Sequence, residues 1–190
     1  FNECTGQRTG EKGYREAGAI AGGILVDDTG GGVCQTSSTL FNAVVRADLE
    51  IVERYPHSWP SSYVNRGEDA TVNWPSLDFV FRNNGRFPVF IVAWYADRTV
   101  TVEVYGEMLP DGQTIDLFSE TVKTITPSDE VLYVQDESLP AGTRKAGRSK
   151  RTGYVVDTYK VYKNAAGEEI SREKLWTTTY RATQKEILYN

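Results

Sequence analysis

Histidine is nearly absent from this chain, with His57 the one example in 190 residues. A metal centre built from several imidazoles is therefore excluded, and any imidazole chemistry must pass through that one side chain. Cysteine is almost as scarce: Cys4 and Cys34 are too few for a disulfide framework. No apolar run approaches the roughly 20 residues that a membrane-spanning helix needs, and no secretory leader stands at the start. An excess of positive charge is missing too. With 21 Lys and Arg against 26 Asp and Glu, the net charge is −5, which argues against nucleic acid as the main partner. The chain opens on Phe1 in FNECTG, which reads as the interior of a strand. The expectation is a piece of a longer protein, with any export signal or membrane anchor outside it.

What is present is a soluble, globular composition, 39% apolar and 25% charged, long enough for one or two domains. The stretch QTSSTLFNAVVRADL (35–49) reads as a helix, with Leu40, Val44, Val45 and Ala47 near helical spacing and Thr36, Ser37 and Ser38 placed to cap its start. From Ala70 onward strands dominate. LDFVFRNN and TVTVEVYG alternate, and FPVFIVAWYA between them is a near-continuous apolar run, with turn signals at NNGRFP and ADR. This predicts an antiparallel meander packed on one main helix. After Gly106 the character changes. VLYVQDE, TGYVVDTYKVYK and WTTTYRATQKEILYN are strand-like and rich in Tyr, Thr and Val, which predicts a thin, elongated all-β module. The expected class is α+β, with a first domain over 1–107, a linker over 108–121 and the β module over 122–190.

The stretch GGGVCQTSSTLFNA, from Gly30 to Ala43, carries the strongest chemical signal. A cysteine placed after three glycines at a helix start sits beside unpaired backbone N–H groups. The positive end of the helix dipole favours its thiolate, and the same N–H groups suit an oxyanion. Cys34 is therefore a candidate acyl-transfer nucleophile; an inert buried cysteine is the alternative. His57, held between Pro56 and Pro60, is the candidate base and acid. A third group should orient it, and Asp69 and Asp78 are the candidates, with a turn or capping role the stronger reading for Asp78. Cys4 either pairs with Cys34 or is a buried strand residue.

GGGVCQTSSTLFNA, then LEIVERYPHSWPSSYV, then GEDATVNWPSLDFVFRNN, closely resembles the VanW family over roughly residues 1–106, and FNECTGQRTGEKGYREA resembles that family's opening segment. Two positions depart from the pattern: Cys4 stands where an aliphatic residue is expected, and Glu68 where a basic one is common. The resemblance implies L,D-transpeptidation of peptidoglycan. Cys34 would attack the carbonyl of the third stem-peptide residue and release the terminal D-Ala, and a second stem's side-chain amine would take the acyl group. His57 would serve as base and acid, with Asp69 orienting it. N–H groups of Gly32, Val33 or Gln35 would form the oxyanion hole. Gly31, Gly32, Gln35, Ser37, Ser38, Tyr63 and Arg66 are the implied substrate contacts. No cofactor is called for.

Residues 122–190 resemble a G-five domain, through LPAGT with Gly142, then Gly147, GYVVDTY with Gly153, and NAAGEEISRE with Gly167. That resemblance implies an extracellular, wall-associated protein that binds N-acetylglucosamine-containing glycan. Tyr154, Tyr159, Tyr162 and Trp176 would stack on sugar rings or hold the sheet together by cross-strand pairing. The basic run from Arg144 to Arg151 would meet anionic wall polymer or be a solvated loop. Two alternatives stay open: a non-catalytic wall-binding or glycopeptide-binding protein, and a Cys–His peptidase or amidase acting on stem peptides.

Overall fold

The computed structural model describes residues 1–21 and 24–190, with side chains described outside 20–25. FNECTG forms a single helical turn, α1 (Asn2–Thr5), rather than a strand, and Cys4 is exposed on it. Strands β1 (Glu16–Ala21) and β2 (Ile24–Thr29) pair antiparallel. Then comes the main helix, α2 (Val33–Arg46). It starts two residues earlier than its apolar stripe suggests. Gly32, with φ 84°, is the N-cap, and no side chain caps the helix, so Thr36, Ser37 and Ser38 lie inside it rather than at its end.

The helix is amphipathic, and Phe41, Val44 and Val45 are its fully buried face, with Leu40 and Ala47 at the margin. They pack against Leu49, Ala70, Val72, Phe79 and Leu117. Phe41 meets Phe79 edge to face with centroids 5.6 Å apart. Each such side chain contributes about 1.5–3 kcal/mol by leaving water, so this cluster fixes the helix and with it Cys34.

The predicted meander is not formed as one sheet. LDFVFRNN supplies β4 (Val80–Arg82), which pairs with β3 (Glu50–Glu53). The next two segments form a separate antiparallel hairpin of β5 (Phe90–Ala96) and β6 (Thr99–Tyr105). Every residue of β5 is exposed, so its apolar run does not mark a buried strand; β6 is the member that lies against α2.

The C-terminal half is all β among the described residues, apart from one 3-10 turn at Pro110–Gly112. Strand β7 (Thr114–Ile125) already occupies part of the stretch expected to be a linker. It pairs antiparallel with β10 (Gly153–Lys163), which in turn pairs antiparallel with β11 (Glu169–Tyr180). A second three-stranded sheet has β12 (Glu186–Tyr189) at its centre, parallel to β8 (Leu132–Gln135) and antiparallel to β9 (Arg144–Ala146). The two sheets differ in their use of burial. The first buries Ile115, Leu117, Val156, Thr158, Val161, Thr178 and Tyr180, and its Leu175 and Trp176 pack onto the helix core. The second buries only Glu186.

Candidate functional site

Cys34 is the second residue of α2, inside the turn whose N–H groups lack helical partners. The preceding glycines are required by geometry: Gly32 holds a left-handed conformation, and a Cβ on Gly31 would overlap the Ala17 carbonyl of β1. Both cysteines are free. Cys4 therefore does not silence the thiol, and its exposure corrects the expectation of a buried strand residue.

The segment after Asp69 crosses the sulfur. The Val72 N–H donates to Cys34 Sγ at 3.5 Å, the thiol lies 3.4 Å from the Val72 carbonyl, and the Thr71 hydroxyl is 3.6 Å away. Asp69 itself is fully buried. Its Oδ2 lies 2.6 Å from His57 Nδ1 and also accepts the His57 backbone N–H at 2.6 Å. This double grip orients the ring with Nδ1–H toward the carboxylate, which leaves Nε2 for the other side, where the Tyr63 hydroxyl stands 3.3 Å away.

The imidazole and the sulfur shift each other's protonation electrostatically. Burial alone would push the His57 imidazole down, but the hydrogen bond with Asp69 and the influence of Cys34 outweigh it and raise the group to about 9. Burial would push the Cys34 thiol up; His57, the Val72 backbone and Thr71 together bring it below its ordinary value. Burial likewise opposes ionised Asp69, and the hydrogen bond from His57 with the charge of Arg54 holds its carboxyl low. Both shifts run in the direction of a thiolate beside an imidazolium.

Sequence reasoning missed Arg54 and Tyr180. Arg54 Nη2 pairs with Asp69 Oδ1 at 2.9 Å while its Nε donates to the Asp69 carbonyl at 2.6 Å. The Tyr180 hydroxyl donates to the same Oδ1 at 2.6 Å. Arg54 is three residues before the lone histidine, and that proximity is a usable signal. Tyr180 is 111 residues beyond Asp69, and nothing local announces it.

The other expected site residues divide. Tyr63 is at the imidazole, and Gly31, Gly32 and Gln35 belong to the turn that carries Cys34. Ser37 and Ser38 are fully buried, and both hydroxyls donate to the Ala70 carbonyl, at 2.6 and 3.3 Å. They anchor the segment carrying Asp69 to the helix and present nothing to a substrate. Val33 and Gln35 N–H groups are engaged by the carbonyls of Gly30 and Gly32 at 3.3 and 3.0 Å. Asp78 does not reach His57: it accepts the N–H groups of Asn2 and Phe79. Glu68 is buried and accepts from Ser119 and Asn65, and burial pushes its carboxyl above the ordinary range.

Tyr154, Tyr159, Tyr162 and Trp176, named as sugar-stacking or cross-strand aromatics, are half-buried. Trp176 points inward: its indole N–H donates to the Gly67 carbonyl at 3.1 Å and its ring lies against Phe41 and under Arg54. Arg66 covers the Tyr154 ring at 3.7 Å, and Tyr159 packs on Phe118. In the basic run, Lys150 pairs with Asp129 and Arg148 with Glu186, while Arg151 stacks over Trp59 at 3.4 Å. A cleft of about 470 Å³ between α2, β3 and β11 is lined by Val45, Leu49, Arg54 and Trp176 among others, but by neither Cys34 nor His57.

The family model described as VanW like protein matches residues 1–105, and that of the G5 domain matches 119–189. The uncharacterized protein YoaR of Bacillus subtilis is 47% identical over 106 residues, which are 56% of this chain and 35% of that protein. The vancomycin B-type resistance protein VanW of Enterococcus faecalis is 28% identical over 102 residues, 51% of this chain and 37% of that protein. The chain thus matches only about a third of each of these relatives. A solved IgA1 protease G5 domain covers 40% of this chain and 89% of its own length at 20% identity, with a TM-score of 0.24; a likeness at that score carries no argument.

Proposed function

Since the chain belongs to the family of VanW-like proteins and carries a G5 domain behind that match, we propose that it is a cell-wall-associated L,D-transpeptidase working through a Cys34 acyl-enzyme. One observation carries the reading: a free cysteine at a helix start, electrostatically linked to the only histidine, whose Nδ1 is held 2.6 Å from a fully buried carboxylate. The thiolate of Cys34 attacks the carbonyl carbon of the third stem residue. The tetrahedral oxyanion collapses by breaking the C–N bond to the terminal D-Ala, whose amine leaves with the proton of His57 Nε2. The thioester is then attacked by a side-chain amine of a second stem. His57 accepts the proton that this amine loses, and Cys34 departs as the thiolate. One amide is exchanged for another, so no redox partner or cofactor enters the balance. Of the N–H groups considered for the oxyanion, we assign that of Gly32, because those of Val33 and Gln35 already meet carbonyls.

We assign binding of wall glycan to the C-terminal half, with the working boundary between about residues 107 and 122. Because Trp176 and Tyr154 are covered, the contact falls to the exposed Tyr133 and Tyr189 of the second sheet. The test is mass spectrometry of the protein incubated with tetrapeptide-stem muropeptides. A Cys34 thioester adduct followed by a cross-linked dimer supports transfer. A free tripeptide with no dimer makes the protein a peptidase, and intact Cys34 with undiminished muropeptide binding makes it a binding protein.

A further inference from the structure

The carboxylate that orients His57 is held in part from outside the VanW-like half. Asp69 Oδ1 receives the Tyr180 hydroxyl at 2.6 Å, and that oxygen in turn accepts the Gly67 N–H at 2.7 Å. Arg54, which pairs with the same Oδ1, is itself tied to Thr178 Oγ1 at 3.0 Å and to the Gly67 carbonyl at 3.1 Å. The Gly67 carbonyl is also the acceptor for the Trp176 indole and the Thr158 hydroxyl. Gly67 has φ 85°, and a Cβ there would overlap Thr158 Oγ1, so the β10 strand is seated directly on the turn preceding Asp69. Tyr180 and Thr158 are fully buried and Thr178 nearly so. A tyrosine and two threonines in a core cost more than phenylalanine and valine unless their hydroxyls are used. Here every one of the three is spent on Gly67, Asp69 or Arg54.

We propose that Tyr180 is a positioning residue of the Cys34–His57–Asp69 site, and that the first C-terminal sheet completes that site rather than serving only as a wall-binding appendage. This rests on the reading of those three residues as a catalytic group, and it adds Thr178 as a weaker support acting through Arg54. The charged and titratable groups that face the site are Arg54, His57 and Tyr180 around Asp69, and His57 and Tyr63 around Cys34.

The test needs no substrate: the rate of Cys34 alkylation by iodoacetamide is followed against pH in the full chain, with Cys4 replaced by serine. Tyr180→Phe keeps the ring and removes the hydroxyl. It is expected to slow alkylation at neutral pH roughly tenfold, the scale of one lost hydrogen bond to a charged group, and to move the rising limb toward that of a free thiol, about 8.5. Thr178→Val should shift it the same way by less. Introduced into Asp69→Asn, Tyr180→Phe should change the profile no further, because the residue acts through that carboxylate. A Tyr180→Phe profile identical to that of the parent overturns the proposal. So does an equal shift in the Asp69→Asn background, which would make the effect one of general loosening. A parent profile already like a free thiol would sink both this proposal and the catalytic reading beneath it.

Discussion

The two three-stranded sheets of the C-terminal half are built from similar residues, yet they stand in opposite relations to the rest of the chain. The first, β11–β10–β7, buries a face of Val156, Thr158, Val161, Thr178 and Tyr180, and sends Trp176 and Leu175 into the helix core. The second, β8–β12–β9, leaves Leu132, Tyr133 and Tyr189 exposed. Aromatic and threonine content alone does not tell the two sheets apart; what separates them is whether the polar tips are engaged. In the first sheet hydroxyls end on Gly67, Asp69 and Arg54. In the second the rings face solvent.

Substitutions can break that contrast, and the largest effects belong where the first sheet meets the site. Asp69→Asn should lower acyl-transfer turnover by on the order of 10⁴, as expected when the orienting carboxylate of a triad is neutralised, read from the rate of dimer formation. It also strands the buried Arg54 without its charge partner, so a loss of about 3–5 kcal/mol in denaturant unfolding should accompany it. Trp176→Ala should cost about 2–3 kcal/mol, somewhat less than a fully buried tryptophan because the ring is half-exposed; thermal unfolding checks it.

The pH dependence of stability sharpens the comparison within the site. His57 is raised to about 9 from its ordinary 6.5, so its stabilisation is complete below about pH 6.5 and is lost as pH rises through 9. Cys34 is lowered, so its contribution has the opposite slope: it is present above the ordinary thiol range and lost as pH falls through the folded value. The two slopes oppose each other in the intact protein. Cys34→Ala removes the second and leaves His57 raised by Asp69 alone, so the melting temperature of that variant should fall more steeply than that of the parent as pH rises above 6.5, with the fall ending below pH 9. The smallest effect is expected in the second sheet. Tyr133→Ala should change stability by no more than about 0.5 kcal/mol and leave Cys34 alkylation untouched, while reducing cosedimentation with purified cell wall.

The main helix and the strands were legible because period and turn chemistry act locally, and so was the cysteine at a helix start. Cys34 and His57 could be singled out by scarcity, as the cysteine after glycines and the one histidine, whereas the orienting acid was narrowed only to Asp69 and Asp78, with a turn or capping role the stronger reading for Asp78. The pairing of strands was less legible. β4 went to β3 and not to β5, a choice that depends on which face the helix covers. The exposed run FPVFIVAWYA misled for the same reason, since hydrophobicity shows what prefers burial and not what covers it. Ser37 and Ser38 looked like substrate contacts on a helix start and proved to be the pins that hold Ala70. Tyr180 was beyond reach altogether, because a hydrogen bond across 111 residues leaves no periodic trace.

That separation also sets a sequence in time. Ribosomes deliver Cys34, His57 and Asp69 early, and the hydroxyl that steadies Asp69 arrives only with the last residues of β11. Closing so long a loop is slow compared with forming the helix that carries the thiol. A nascent or proteolytically shortened chain ending before Tyr180 would hold all three reacting groups and still lack the completed carboxylate cradle. On the proposed reading, the sulfur is placed first and the carboxylate behind its histidine is steadied last.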